Sequence, residues 1–338
     1  MKEAITIKEI ARQLNISPST VSRALQDSPR ISQKTRDAVH ALAGQLKYFP
    51  STTARNLRIG KTGVLAMVLP EIRENFFSEV VNGVEELAFR HQYTVALYQS
   101  HDRYEREKQI LAVLASNRVD GIMLSVAKES QEFQHIQDLI DRGIPVVLFD
   151  RIPPKIEAHQ VGCDIEKGAY EATKWLARQG FRRIALLNGP HPLVASEDRY
   201  RGYITALLED HLPVENALIK RVDLTTEDIK QKMTQLLTSA HRPDAVLAFN
   251  DYVALDAMQV CRKHGLRINE DISFVSFANL PLNTYLEHPP LASVEQHPYQ
   301  IGLKAAEILL SITDPKIEGD TISFQQIMLE PELVIREK

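Results

Sequence analysis

The sequence predicts a small all-α head followed by a two-lobed α/β body built on parallel, doubly wound sheets. Three observations carry this reading. The first 47 residues hold three short, capped, amphipathic segments. From Lys61 onward, continuous apolar runs alternate with amphipathic helical stretches, the pattern of parallel strands covered on both faces. Charge is divided as well: residues 1–60 carry a net +6 and the remainder a net −10. A basic head on an acidic body suits a chain whose head alone meets a polyanion. With 338 residues, 44% of them apolar, the chain can bury a sizeable core and form more than one domain.

The first segment opens at "TIKE", where Thr6 as N-cap and Glu9 three positions on predict a capping box. Ile7, Ile10, Ala11 and Leu14 then share one apolar face. The second segment starts with Ser17 at the N-cap and Pro18 at the first helical position, where a missing N–H costs nothing. Val21 and Leu25 form its inward stripe. A longer helix starts at Ser32 and is expected to bury Ala38, Val39, Leu42 and Leu46.

The outward face of the second segment shows Ser19, Ser22 and Arg23. Small hydroxyls let a backbone approach DNA closely, and the Arg23 fork matches guanine O6 and N7. This combination suits a recognition helix whose N-terminal half enters a major groove. An ordinary three-helix bundle also shows caps and surface serines, but it does not explain the basic bias. Next comes "YFPSTTARNLRIGKTG": Pro50 stops a helix and Ser51 can cap another. The stretch 51–57 is too short to be a stable helix alone, so residues 50–60 are expected to be a linker that orders conditionally. The domains are thus 1–49, 50–60 and 61–338.

In the body, "GVLAMVLP", "YTVALYQS", "DGIMLSV", "PVVLFD" and "QVGCD" read as strands, with helices near 77–91, 104–117, 130–142 and 166–179. "RIALLNGP", "AVLAFN" and "DISFVSF" repeat the scheme. These are too many strands for one ordinary sheet, so two lobes are expected. One takes about 61–161 with 291–322, the other about 162–290 with 323–338. Cys163 and Cys261 lie far apart without metal-ligand spacing and read as reduced, packed thiols. "MKEAITIKEI" lacks the apolar run of a signal peptide, and no apolar stretch approaches a membrane span. The chain is therefore expected in the cytoplasm, associated with the nucleoid and not with membrane. There is no GxGxxG after a strand, P-loop, HExxH or nucleophile elbow, and the 11 His are scattered. Neither an enzyme nor a bound cofactor or metal is expected.

At this point a resemblance becomes specific. "TIKEIARQLNISPSTVSRALQDSPRISQKTRDAV", "LKYFP" and "ARNLR" resemble, in order, the N-terminal signature of the LacI/GalR family of bacterial transcription regulators. "RVDGIML", "IPVVLFDR", "GFRRIALLNGP", "DRYRGY", "RPDAVLAFND" and "LASVEQHPYQIG" extend the likeness through the body. The resemblance implies a helix-turn-helix head, a hinge helix and a body like type I periplasmic sugar-binding proteins. It also implies a homodimer on a pseudo-palindromic, double-stranded operator, with a small-molecule effector, sugar-like or purine-like, between the lobes. It places phosphate anchors at Thr6, Ser17, Thr20, Ser22, Ser32, Thr35 and Tyr48, and base readers at Pro18, Ser19 and Arg23. Pro18 cannot donate a hydrogen bond, so direct readout falls to Ser19 and Arg23. In the hinge, Leu57 becomes a minor-groove wedge, with Ser51, Ala54, Arg55 and Asn56 around it.

In open α/β sheets, ligands sit beyond the carboxyl ends of the strands. Those ends here offer polar groups for a hydroxyl-rich or heteroaromatic ligand, with Phe76 and Phe77 as a stacking wall. The resemblance adds Asp150, Arg151, Arg199, Asn250, Asp251 and Gln296 to the effector set. Asp251 also reads as a first-turn helix acid. One position departs: Ala278 stands where the family commonly carries an Asp that binds ligand hydroxyls. "LEPELVIREK" follows the last expected strand without a heptad tail, which favours a dimer over a tetramer. Two other classes compete with a regulator: a solute-binding protein with an added head, and a sugar-metabolising enzyme with one. The missing signal peptide and missing catalytic motifs count against them.

Overall fold

The computed structural model describes residues 6–48, 61–153, 156–191, 193–313 and 323–336. The expected hinge, with Ser51, Ala54, Arg55, Asn56 and Leu57, lies outside them. The chain divides into two compact units, one ending at Thr62 and one beginning at Gly63.

The first unit contains α1 (Ile7–Gln13), α2 (Pro18–Ala24) and α3 (Gln33–Gln45). Ile10, Ala11, Val21, Ala24, Val39 and Ala43 make its core, with Leu25, Leu42, Leu46 and Tyr48 packed around them. Ala38, expected inside, is exposed, and Ala43 is buried instead. Neighbouring helical residues point about 100° apart, so only one of Ala38 and Val39 can face the core squarely. Ser17 and Ser32 cap as expected, accepting from Thr20 N (3.1 Å) and Thr35 N (3.2 Å). Thr6 occupies the N-cap position but its side chain makes no cap. The capping box fails because the Glu9 carboxylate turns to Arg12 and Gln13, at 2.8 Å each.

The second unit begins β1 (Val64–Leu69), α4 (Asn75–Arg90), β2 (Thr94–Gln99), α5 (Tyr104–Ser116), β3 (Gly121–Leu124), α6 (Gln134–Asp141), β4 (Val146–Phe149) and β5 (His159–Cys163). The chain then builds a second sheet with α7 (Ile165–Arg178), β6 (Ile184–Asn188), α8 (Val194–Glu209), β7 (Ile219–Arg221), α9 (Thr226–Leu237) and β8 (Ala245–Ala248). It continues with α10 (Asp251–Lys263), β9 (Ser273–Phe277) and β10 (Ala292–Glu295). It returns to the first lobe for α11 (Pro298–Thr313) and β11 (Gln326–Leu329), and closes the second with β12 (Glu332–Ile335).

The sheet orders are β11-β5-β4-β3-β1-β2 and β12-β10-β9-β8-β6-β7, parallel except for the β10–β12 pair. Successive strand residues face opposite layers, as a pleated strand requires. Leu65 and Met67 pack under α4 and α11, whereas Ala66 and Val68 meet α5 and α6 residues such as Leu111 and Leu139. In the second lobe, Leu186 and Leu247 join the layer with Ala169 and Tyr203. Leu187 and Val246 meet Met233 and Met258.

The expected lobe boundaries need one correction. β10 pairs with β9 in the second sheet, and β11 pairs with β5 in the first. Residues 291–322 and 323–338 therefore do not go to the two lobes as blocks. The chain crosses between the lobes just after Cys163, just after Glu295 and just after Leu329.

α4 and α11 cross at close range over Gly83 and Gly302. A Cβ on Gly302 would stand 2.1 Å from the Val80 carbonyl oxygen, which belongs to helix backbone and cannot swing aside. We expect Gly302→Ala to destabilise the body by about 3 kcal/mol, the upper range for overpacking. Thermal unfolding checks this, and an unchanged midpoint refutes the close crossing.

Candidate functional site

In the head, α2 presents Ser17, Pro18, Ser19 and Arg23 to solvent, with Thr20 and Ser22 half-buried. Ser17 Oγ lies 2.8 Å from both Ser19 Oγ and Thr20 Oγ1, so these hydroxyls form one local cluster at the helix start. Arg23 is exposed, and its guanidinium makes no hydrogen bond or ion pair among the described residues. Opposite it, Val21 and Ala24 are buried, which fixes the face on which Arg23 emerges. The loop before α3 is tied back by Arg36 Nη1, which donates to Asp27 O (3.0 Å), and by the His40–Asp27 pair (3.0 Å). Ser32 is exposed, while Thr35 and Tyr48 are half-buried.

In the body, the predicted effector residues gather at the carboxyl ends of the strands. Left-handed, non-glycine backbone clusters there too: Asp102 (φ 59°), Asp150 (58°), Ala278 (86°) and Asn279 (47°). Such strain persists where surrounding structure enforces it, commonly at binding sites. Phe77 is buried at the start of α4, edge-on to Phe76 (5.3 Å) and to Phe149 (6.4 Å). Arg151 lies 5.7 Å from the Phe77 ring and is ion-paired to Asp102.

Among the described residues, the Asp150 carboxylate receives only a long bond from Ser125 Oγ (3.4 Å) and a distant contact with Arg151 (3.9 Å). Burial pushes its carboxyl above the usual Asp range, against the pull of Arg151 and Arg199. Arg199 is only 3% exposed and is sandwiched between Phe249 (4.1 Å) and Phe277 (4.3 Å). Its Nη1 donates to Ala195 O (2.9 Å), its Nε is buried without a partner, and it forms no ion pair among the described residues. Burial brings this guanidinium down to about 10, so it stays charged at neutral pH. Asp150 and Arg199 thus feel each other's charge without closing a bond. A small group that both accepts and donates would complete the pair.

Asp150, Cys163 and Asp198 line a cavity of about 490 Å³. Gln296 is nearly buried, and its amide has no partner among the described residues. Asn250 caps α10 through Val253 N (3.0 Å), so its carbonyl is already engaged. Asp251 is the residue that departs from expectation. It is fully buried. Ser276 Oγ and Ser293 Oγ (2.7 Å) donate to its Oδ1, and Leu280 N (2.6 Å) and Asn283 Nδ2 (2.9 Å) to its Oδ2. With four donors inside the lobe it has nothing left to offer a ligand. Its role is to fasten the loops after β8 and β9, and it leaves the effector set. No group of three or more His, Cys, Asp or Glu among the described residues could hold a metal ion. No described helix is long and apolar enough to cross a membrane.

Comparison with known proteins matches both units. Residues 6–51 match the family model for bacterial regulatory proteins of the lacI family. Residues 62–329 match that for periplasmic binding proteins and the sugar binding domain of the LacI family. The chain belongs to the LacI family. Among relatives of this LacI-family chain, the HTH-type transcriptional repressor PurR of Vibrio vulnificus is 32% identical over 334 residues, 98% of each chain. The repressor CytR of Escherichia coli is 30% identical, covering 98% of this chain and 96% of its own. Among solved structures, the CelR–cellobiose complex is 28% identical with a TM-score of 0.74, covering 98% of this chain and 99% of its own. The lac repressor dimer bound to operator and ONPF has a TM-score of 0.86 over 98% of each chain; at 23% identity it speaks for the fold alone. The family is one of regulators, and this LacI-family chain is not an enzyme.

Sequence reasoning missed three parts of the LacI-family cleft. Asp102 holds Arg151 and also accepts from Lys128 N (3.0 Å). Glu74, the N-cap residue of α4, makes no cap; burial pushes its carboxyl up. Leu193, Val194 and Ala195 give the second lobe an apolar wall. Only the position of "HDR" after a strand could have flagged Asp102.

Proposed function

We propose that this chain is a ligand-responsive transcriptional repressor that binds a pseudo-palindromic operator as a homodimer. A small effector, hydroxyl-rich or purine-like, occupies the interlobe cleft. The observation that carries the DNA-binding half is Arg23, exposed and uncommitted on a helix whose opposite face is core. Arg23 and Ser19 read bases, with Pro18 at most touching a thymine methyl. Thr6, Ser17, Thr20, Ser22, Ser32, Thr35 and Tyr48 hold phosphates. Leu57 acts as the wedge at the operator centre, with Ser51, Ala54, Arg55 and Asn56 beside it.

In the cleft, a ligand hydroxyl, or a ring carrying both N–H and carbonyl, bridges Asp150 and Arg199. Phe76 and Phe77 cover its face, and Gln296 supplies a further amide; Asn250 contributes its free N–H₂. The effector favours one lobe arrangement, and that arrangement biases the ordering of residues 50–60 on DNA. Differential affinity for the two arrangements is the only source of the response.

The test is quantitative binding to a panel of randomised palindromes at two salt concentrations. We expect Arg23→Ala to relax specificity at one guanine by about 1–3 kcal/mol. Leu57→Ala should instead weaken every operator while sparing effector binding. Equal loss on all sequences for Arg23→Ala makes it a phosphate contact. Unchanged operator affinity for Leu57→Ala removes the wedge.

A further inference from the structure

We propose that the effector carries an apolar substituent, aryl or branched alkyl, and that a second cavity beside the Asp150 site receives it. This rests on the effector reading above and narrows it. The second cavity encloses about 250 Å³ and is lined by both lobes, chiefly Phe133, Ile152, Pro153, Leu193 and Val194, with Lys128 among its lining residues. It shares Ile152, Pro153, Val194 and Ala195 with the larger cavity that Asp150 lines, so the two adjoin along that wall.

Of the four polar side chains in the smaller cavity's lining, Lys128, Ser130, Gln131 and Arg151, two are spent within the chain. Ser130 Oγ donates to Glu107 (2.8 Å), and Arg151 is held by Asp102. Leu193 fills the N-cap position of α8, where a side-chain acceptor is usual, and offers none. Val194 begins that helix 39% exposed, a large apolar side chain on the wall of the cleft. A bare sugar or base bridging Asp150 and Arg199 would leave these walls wet. A phenyl or branched alkyl arm on the same head would dry them, which is a favourable transfer. Lys128 makes no hydrogen bond through its ammonium and no ion pair among the described residues, and its charge is felt by Asp223 of the opposite lobe. That ammonium tolerates an electron-rich ring, the face of which attracts cations.

The test titrates the full-length chain calorimetrically with matched pairs: methyl and phenyl β-D-glucopyranoside, methyl and phenyl β-D-galactopyranoside, adenine and 6-benzylaminopurine. At least one substituted member is expected to bind about tenfold tighter than its partner, the scale set by burying a few apolar carbons. Leu193→Ser and Phe133→Ala should each erase that preference; the first also supplies an N-cap, so α8 stays formed. Equal affinity within every pair overturns the substituent pocket while leaving the effector reading intact. A preference that survives both variants places the substituent elsewhere and overturns it too. Binding by none of the six overturns both cleft proposals, and operator binding remains a separate measurement of the head.

Discussion

Asp251→Ala is expected to remove about 3–5 kcal/mol of stability from the body, the largest loss we anticipate from any single polar change. The carboxylate gathers donors from four places that are distant in sequence, at Ser276, Leu280, Asn283 and Ser293. Truncation would leave these donors facing a dry void, since Asp251 and its serine partners are fully shielded from solvent. Asp251→Asn should recover only part of the loss, because its amide N–H₂ would point at other donors. The single tryptophan of the chain, Trp175 on α7, packs against the core of the same lobe and gives a direct signal for urea unfolding. A loss below about 1 kcal/mol would mean that the buried network does not exist in solution.

Arg199→Met is expected to behave in the opposite way, keeping the fold and abolishing the response to effector. Methionine preserves the contact with the Phe249 and Phe277 rings and removes a charge that burial already penalises. Stability should hold or rise slightly. Effector binding, in contrast, loses a desolvated charged donor and leaves Asp150 facing the ligand alone. Such truncations cost about 2–5 kcal/mol, or roughly 30- to 4000-fold in affinity. Operator affinity without effector should be unchanged. Equal sensitivity of stability and binding would make Arg199 a structural residue rather than a ligand contact.

These two residues also mark what the sequence could and could not reveal. The head was legible because its signals are local: Ser17 and Ser32 cap within three residues, and Val21 and Leu25, four apart, both pack in the core, though Ala24 is the more deeply buried neighbour. The strands of the body were legible from their apolar runs, and α4 through α7 fall close to the expected spans. Which sheet each strand joins was not legible, because a strand's own four residues do not name the neighbour they pair with, whether buried as in β10 or alternately exposed as in β11. β10 and β11 were therefore exchanged. β7, with three half-buried residues, carries too short a pattern to be seen. Glu9 satisfied a capping pattern but found Arg12 and Gln13 closer at hand. Asp251 sits correctly for a first-turn acid, yet its partners lie 25 to 42 residues away along the chain. The apolar wall at Leu193 and Val194 was invisible because in sequence it is simply the start of a helix.

The three crossings between the lobes bear on how such a body can be recombined. Each lobe borrows its edge strand from the far end of the chain, β11 for one and β12 for the other. Neither lobe is a continuous stretch that could be excised, grafted or exchanged with a relative's. The transferable module is the entire segment from Gly63 onward, with both halves of the cleft included. A new ligand preference must therefore arise by substitution within that module or by replacement of all of it, while the head can be traded independently at a single junction.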